Sequence, residues 1–118
     1  MSWVTDVILL AGLEERFPES GEIRDEPVAI EAINGWLESQ EQTPLVRLDE
    51  HISMNSGHGF QAVAYGAALN YLDIPAFLEQ VGKQKWDAPQ SLLLLLKVEE
   101  EREFSVFRMR QGKLEKVC

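Results

Sequence analysis

The sequence predicts an α+β fold, a ferredoxin-like β-α-β-β-α-β-β two-layer sandwich with one extra C-terminal strand. Three observations point to it. Short runs rich in β-branched residues or leucine alternate with two amphipathic stretches. Both stretches open on Asp-x-Pro, at Asp25-Glu26-Pro27 and Asp73-Ile74-Pro75. Each carries or precedes a tryptophan, Trp36 or Trp86, and then a proline ahead of a strand, Pro44 or Pro89. This faint internal echo matches two βαβ halves. The length, 118 residues, fits a single domain over 1–118.

Trp3 to Ala11 (WVTDVILLA) is apolar on both alternating faces, as in a strand inside a sheet. Gly12 to Asp25, charged and carrying Pro18, Ser20 and Gly21, reads as a long surface loop. Asp25 is placed to cap a helix from about Glu26 to Ser39, with Pro27 in its first turn. Ala29, Ile30, Ile33, Trp36 and Leu37 share one face of that helix, and Gly35 is expected to serve close packing. After a polar turn, Leu45 to Leu48 is a short strand suited to a sheet edge. The Ser/Asn/Gly-rich connection Ser53 to Gly59 leads to a strand from Phe60 to Leu69, whose Ala62, Ala64, Gly66 and Ala68 make one face flat.

Asp73 caps a second helix with the stripe Ile74, Phe77, Leu78 and Val81, and Gly82 is expected to end it in a left-handed conformation. Trp86 to Pro89 is a connector. Leu92 to Leu96 reads as a strand buried on both faces, and Phe104 to Arg110 pairs with it as a hairpin. With strand order 4-1-3-2 and the fifth strand beside the fourth, two helices cover only one face. The other face then presents apolar side chains, and a dimer or a docked partner is expected there.

Twenty acidic against eleven basic residues give a net charge of -9, and the pI is near 4.6. Nucleic acid and anionic membrane are repelled over most of such a surface. Residues 1–50 hold twelve acids and three basic residues while 51–118 hold eight of each, so the acidic excess is N-terminal. One side of the domain is therefore expected to carry a strong negative potential.

Catalytic patterns are sparse. Asp49, Glu50 and His51, with His58 further on, form the one cluster of potential metal ligands, and their spacing matches no HExxH-type site. Ser56-Gly57-His58-Gly59 lacks the strand-turn-helix context of a nucleophile elbow or a phosphate loop. No catalytic residue, cofactor or metal is expected. The longest uncharged stretch, Ile52 to Leu72, is too polar to span a membrane. The only cysteine is Cys118, and Met1-Ser2-Trp3 opens without a leader-like segment, so a cytoplasmic location is expected. Trp3, Trp36, Trp86, Tyr65 and Tyr71 are candidate anchors, with core packing favoured for Trp36.

The stretches Tyr65-Gly66-Ala67-Ala68-Leu69-Asn70, Leu72-Asp73, Trp86-Asp87-Ala88-Pro89, the leucine strand with Glu99-Glu100, and Phe104 to Lys113 resemble a group of small uncharacterised bacterial proteins. Trp3 and Val7-Ile8-Leu9 extend the similarity to the first strand, and the acidic loop and first helix depart from it. The resemblance implies a bacterial stand-alone domain and no activity.

The function expected from size, charge and missing motifs is non-catalytic: an acidic protein-binding domain, immunity- or inhibitor-like, engaging a basic protein partner. Glu14, Glu15, Glu19 and Glu22 of the loop are the candidate contacts, with Glu99, Glu100 and Glu101 of the hairpin turn contributing to the same surface. Two alternatives stay open. One is a small-ligand-binding or enzymatic ferredoxin-like dimer using the Asp49-Glu50-His51 and Ser56/His58 region. The other is a purely structural homo-oligomer subunit.

Overall fold

Period-two alternation along the first strand decides where the core lies. In β1 (Val4–Gly12), Thr5, Val7, Leu9 and Ala11 are buried, whereas Val4, Ile8 and Leu10 are only half-buried. The computed structural model describes residues 3–48 and 62–118. Within them β1 is followed by α1 (Val28–Ser39), β2 (Val46–Arg47), β3 (Ala62–Asn70), α2 (Ile74–Gly82), β4 (Leu93–Val98), β5 (Ser105–Arg110) and β6 (Lys113–Lys116). Among the described residues this is an α+β fold with two α-helices and one six-stranded sheet, ordered β2-β3-β1-β4-β5-β6, in which every neighbouring pair is antiparallel.

The order departs from the five-strand expectation by an added edge strand, β6. A two-residue turn at Gln111 and Gly112, both with positive φ (50° and 78°), reverses the chain so that Met109 faces Leu114. Such a turn matches the twist of paired strands. Leu114 is the single apolar residue of β6, too little for periodicity to detect.

Register builds the core. Leu9 sits between Tyr65 of β3 and Leu94 of β4, Val7 between Ala67 and Leu96, and Leu94 in turn faces Phe107 of β5. Ile30, Ile33 and Leu37 of α1 and Phe77 and Val81 of α2 join the same cluster. Fully burying the three α1 side chains contributes about 5–9 kcal/mol before entropy is subtracted. The opposite sheet face keeps Ile8, Leu10, Leu93, Leu95 and Val106 half-exposed, so the leucine strand is fully buried on one face only. On that face a Cβ at Gly66 would lie 2.8 Å from the Val7 carbonyl and 2.9 Å from Leu48 Cδ1, and the flat surface of β3 is thus occupied at Gly66 by Leu48.

Helix ends bring three further corrections. Asp25 does not cap α1: Pro27 takes that position and no side chain caps the helix. At its other end Gln42 donates to the Leu37 carbonyl and Glu41 to Glu38, with Glu41 left-handed at φ 59°, so a glutamate holds the place usually given to glycine. Among the described residues no neighbouring element packs on Gly35, since a Cβ there meets nothing of another segment within 4 Å. Asp73 caps α2 as expected, accepting from Ala76 N at 3.2 Å. Gly82, however, remains helical, and its role is close approach, because a Cβ would lie 3.3 Å from Leu114 Cβ of β6.

Candidate functional site

Beyond Gly12 the chain tightens into a single 3-10 turn, Leu13–Glu15, because Leu13 packs against the core and draws the turn inward. The next side chain but one follows it: Glu15 is only 2% exposed. Its carboxylate accepts from the backbone N–H of Asp87 at 3.1 Å and of Ala88 at 2.8 Å. Burial pushes the Glu15 carboxyl above its ordinary value of 4.5, against the lowering effect of these two N–H groups and of Arg24. Glu15 thus ties the loop to the connector ahead of β4. It was expected among the outward contacts and instead points in, where two backbone donors offset part of its desolvation.

The rest of the loop closes on itself. Phe17 and Arg16 donate to the Leu13 carbonyl, Gly21 at φ 86° completes a turn by donating to Pro18, and Arg24 N returns to the Arg16 carbonyl at 3.0 Å. Arg24 crosses from loop to connector, donating to the Glu15 carbonyl at 3.3 Å and to Asp87 Oδ2 at 2.9 Å, with Glu22 3.7 Å away. The Asp87 hydrogen bond raises the Arg24 guanidinium above its ordinary value, so it stays charged.

Between loop and connector lies a cleft of 280 Å³ lined by Glu14, Pro18, Glu19, Ser20, Arg24, Asp87, Ala88 and Gln90. Its charge is lopsided. Three carboxylates face one guanidinium, and that guanidinium is already paired with one of them. Glu14 and Glu19 make no ion pair among the described residues, so a cationic side chain entering the cleft meets carboxylates that are not yet neutralised.

Of the sequence candidates, Glu14 and Glu19 line this cleft and Glu22 stands at its edge on Arg24. Glu99, Glu100 and Glu101 do not join them. Glu99 N donates to Val4 O, at the start of β1, whereas the loop leaves from its end. Nine residues of extended chain put the two acidic groups about 30 Å apart along the strand, so they form no single surface. Arg24, Asp87, Ser20 and Gln90 were missed, and no local pattern could relate Glu15 to Asp87 across 72 positions. Asp49, Glu50, His51 and Ser56 to Gly59 lie outside the described residues. Among the described residues no group of His, Cys, Asp or Glu is placed to hold a metal, and no helix is long and apolar enough to cross a membrane.

Trp86 and Trp36 are structural supports, whereas Trp3 is exposed. Trp86 is buried and donates its indole N–H to the Val81 carbonyl at 2.9 Å, fastening the connector to the end of α2. Trp36 packs on the core with its ring 6.3 Å from that of Phe77. A second cavity, of 370 Å³, lies between α1 and β2, where the buried Tyr65 hydroxyl donates to Glu26 Oε2 at 2.6 Å.

No protein-family model, no curated protein and no solved structure matches the chain.

Proposed function

We propose that the protein is a non-catalytic binding domain that takes a basic side chain of a protein partner into the cleft between the acidic loop and the Asp87–Gln90 connector. The observation that carries this reading is the cleft itself: Glu14, Glu19 and Asp87 converge on it against the single, already paired Arg24. Rigidity supports it. A loop tied down by Glu15 and Arg24 presents its glutamates with little ordering left to occur on binding. An N-terminal half with twelve acids adds long-range attraction for a basic surface, as in immunity- or inhibitor-like proteins. We further infer that β1 to β4 with the two helices form a ferredoxin-like core extended by β5 and β6. The support is the placement of β1 between β3 and β4 with antiparallel pairing throughout. A cytoplasmic setting goes with the single, free cysteine.

The test is capture from a native lysate by the wild type and by the Glu14→Gln/Glu19→Gln double variant, each at low and high salt. The expected result is a basic protein held by the wild type at low salt and lost on raising the salt or on substitution. Equal recovery by both proteins, or no basic protein recovered at low salt, overturns the reading.

A small-ligand role has one observation in its favour, the 370 Å³ cavity beside Tyr65 and Glu26, a volume within the usual range of ligand pockets. A thermal-shift screen of metabolites tests it, with Tyr65→Phe expected to abolish any stabilisation found.

A further inference from the structure

We propose that β6 pairs with β6 of a second copy of this chain, antiparallel about a two-fold axis through Leu114, so that one sheet runs across a homodimer. Among the described residues β6 is the outer strand on its side of the sheet. Its ladder phase follows from Val117, which donates its N–H to the Val106 carbonyl at 2.8 Å. Alternation then turns the backbone groups of Lys113 and Glu115 toward β5 and those of Leu114 and Lys116 outward. Leu114 is therefore able to form a hydrogen-bonded pair with its own symmetry copy.

The charges select this register. With Leu114 against Leu114, Lys113 lies opposite Glu115 of the second copy and Glu115 opposite its Lys113, on the sheet face away from the helices. A shift of about two residues, the smallest that keeps side chains on their faces, puts Lys113 against Lys113 or Glu115 against Glu115. Within one copy the arrangement is incomplete. Lys113 faces Arg110 across the hairpin, a like-charge pair, and the Glu115 carboxylate is 3.8 Å from Arg110. Among the described residues Lys113 has no acidic partner, and the second copy supplies one.

The helix side of the edge fits the same occupant. A groove of 300 Å³ runs between α2 and the β5–β6 turn, its walls formed by Leu78, Gly82 and Leu114 with Glu79, Lys83 and Lys113 at its rim. The two-fold axis sets this groove against its own copy, so Leu78 and Leu114 of both chains close over one another. This surface is separate from the acidic cleft, and the proposal stands whether or not that cleft binds a basic partner.

Sedimentation equilibrium across a concentration series tests it with Lys113→Glu, Glu115→Lys and the double exchange K113E/E115K. The wild type is expected to dimerise, each single variant to weaken the dimer roughly tenfold or more, and the double exchange to restore it. In the wild type, protection of the Leu114 amide from hydrogen exchange should rise with concentration. A wild type that stays monomeric at millimolar concentration overturns the proposal. So does a dimer that both single variants leave intact, or one that the double exchange fails to restore.

Discussion

At the scale of single residues, Glu15 joins distant segments, because its side chain is the buried acceptor for Asp87 and Ala88 N–H. Glu15→Ala strands both donors and is expected to cost about 2–4 kcal/mol in urea unfolding. The pH dependence has a definite sign. Since burial raises the Glu15 carboxyl above 4.5, its contribution to stability is fullest below the ordinary value and is lost as pH rises through the raised one. Glu15→Gln does not titrate, so its deficit relative to the wild type should be largest in acid and shrink toward neutrality in thermal melts taken across that window. Trp86→Phe keeps one aromatic ring but loses the rest of the buried indole and its N–H bond to the Val81 carbonyl, and should cost about 1–3 kcal/mol with a local rise in exchange at the end of α2.

The two helices make opposite demands on their glycines. Gly35 stands exposed in the middle of α1 with open space where a Cβ would go, so Gly35→Ala should stabilise the protein by about 0.5–1 kcal/mol. Gly82→Ala has the same intrinsic helix benefit but presses on Leu114, and should be neutral or destabilising in the same melt. Glu41→Gly, at the left-handed position that ends α1, is expected to stabilise by up to about 1 kcal/mol. Both helices were legible because their apolar stripes repeat within contiguous sequence, and the Asp73 cap because capping is local. Asp25 failed as a cap because Pro27, two positions on, takes the helix start.

For the molecule as a whole, charge and stability separate. Glu14 and Glu19 line the cleft without ion pairs among the described residues, so replacing both with lysine should shift stability by no more than about 0.5 kcal/mol. The same replacement should abolish binding of a basic partner and flatten its salt dependence, measured by calorimetry at several ionic strengths. Unfolding that accompanies the loss would instead assign these glutamates to the fold. The strand order adds a geometric limit. Glu99 to Glu101 and the loop glutamates leave from opposite ends of β1, so a variant in the hairpin turn should leave cleft binding unchanged.

The sequence by itself determined the α+β class, both helices, the pairing of β4 with β5, and the concentration of acid in the N-terminal half, because periodicity, capping and charge counts are properties of neighbouring residues. The tertiary structure alone decided which acids are available. Glu14 and Glu15 are adjacent in sequence, yet one lines a cleft and the other is buried on Asp87 and Ala88, a difference created by register between segments far apart in the chain. The same holds for β6, whose one apolar residue has meaning only beside Met109 and Gly82. Strand pairing and the fit of a helix against a sheet edge depend on what lies across space, and a linear pattern does not carry that information.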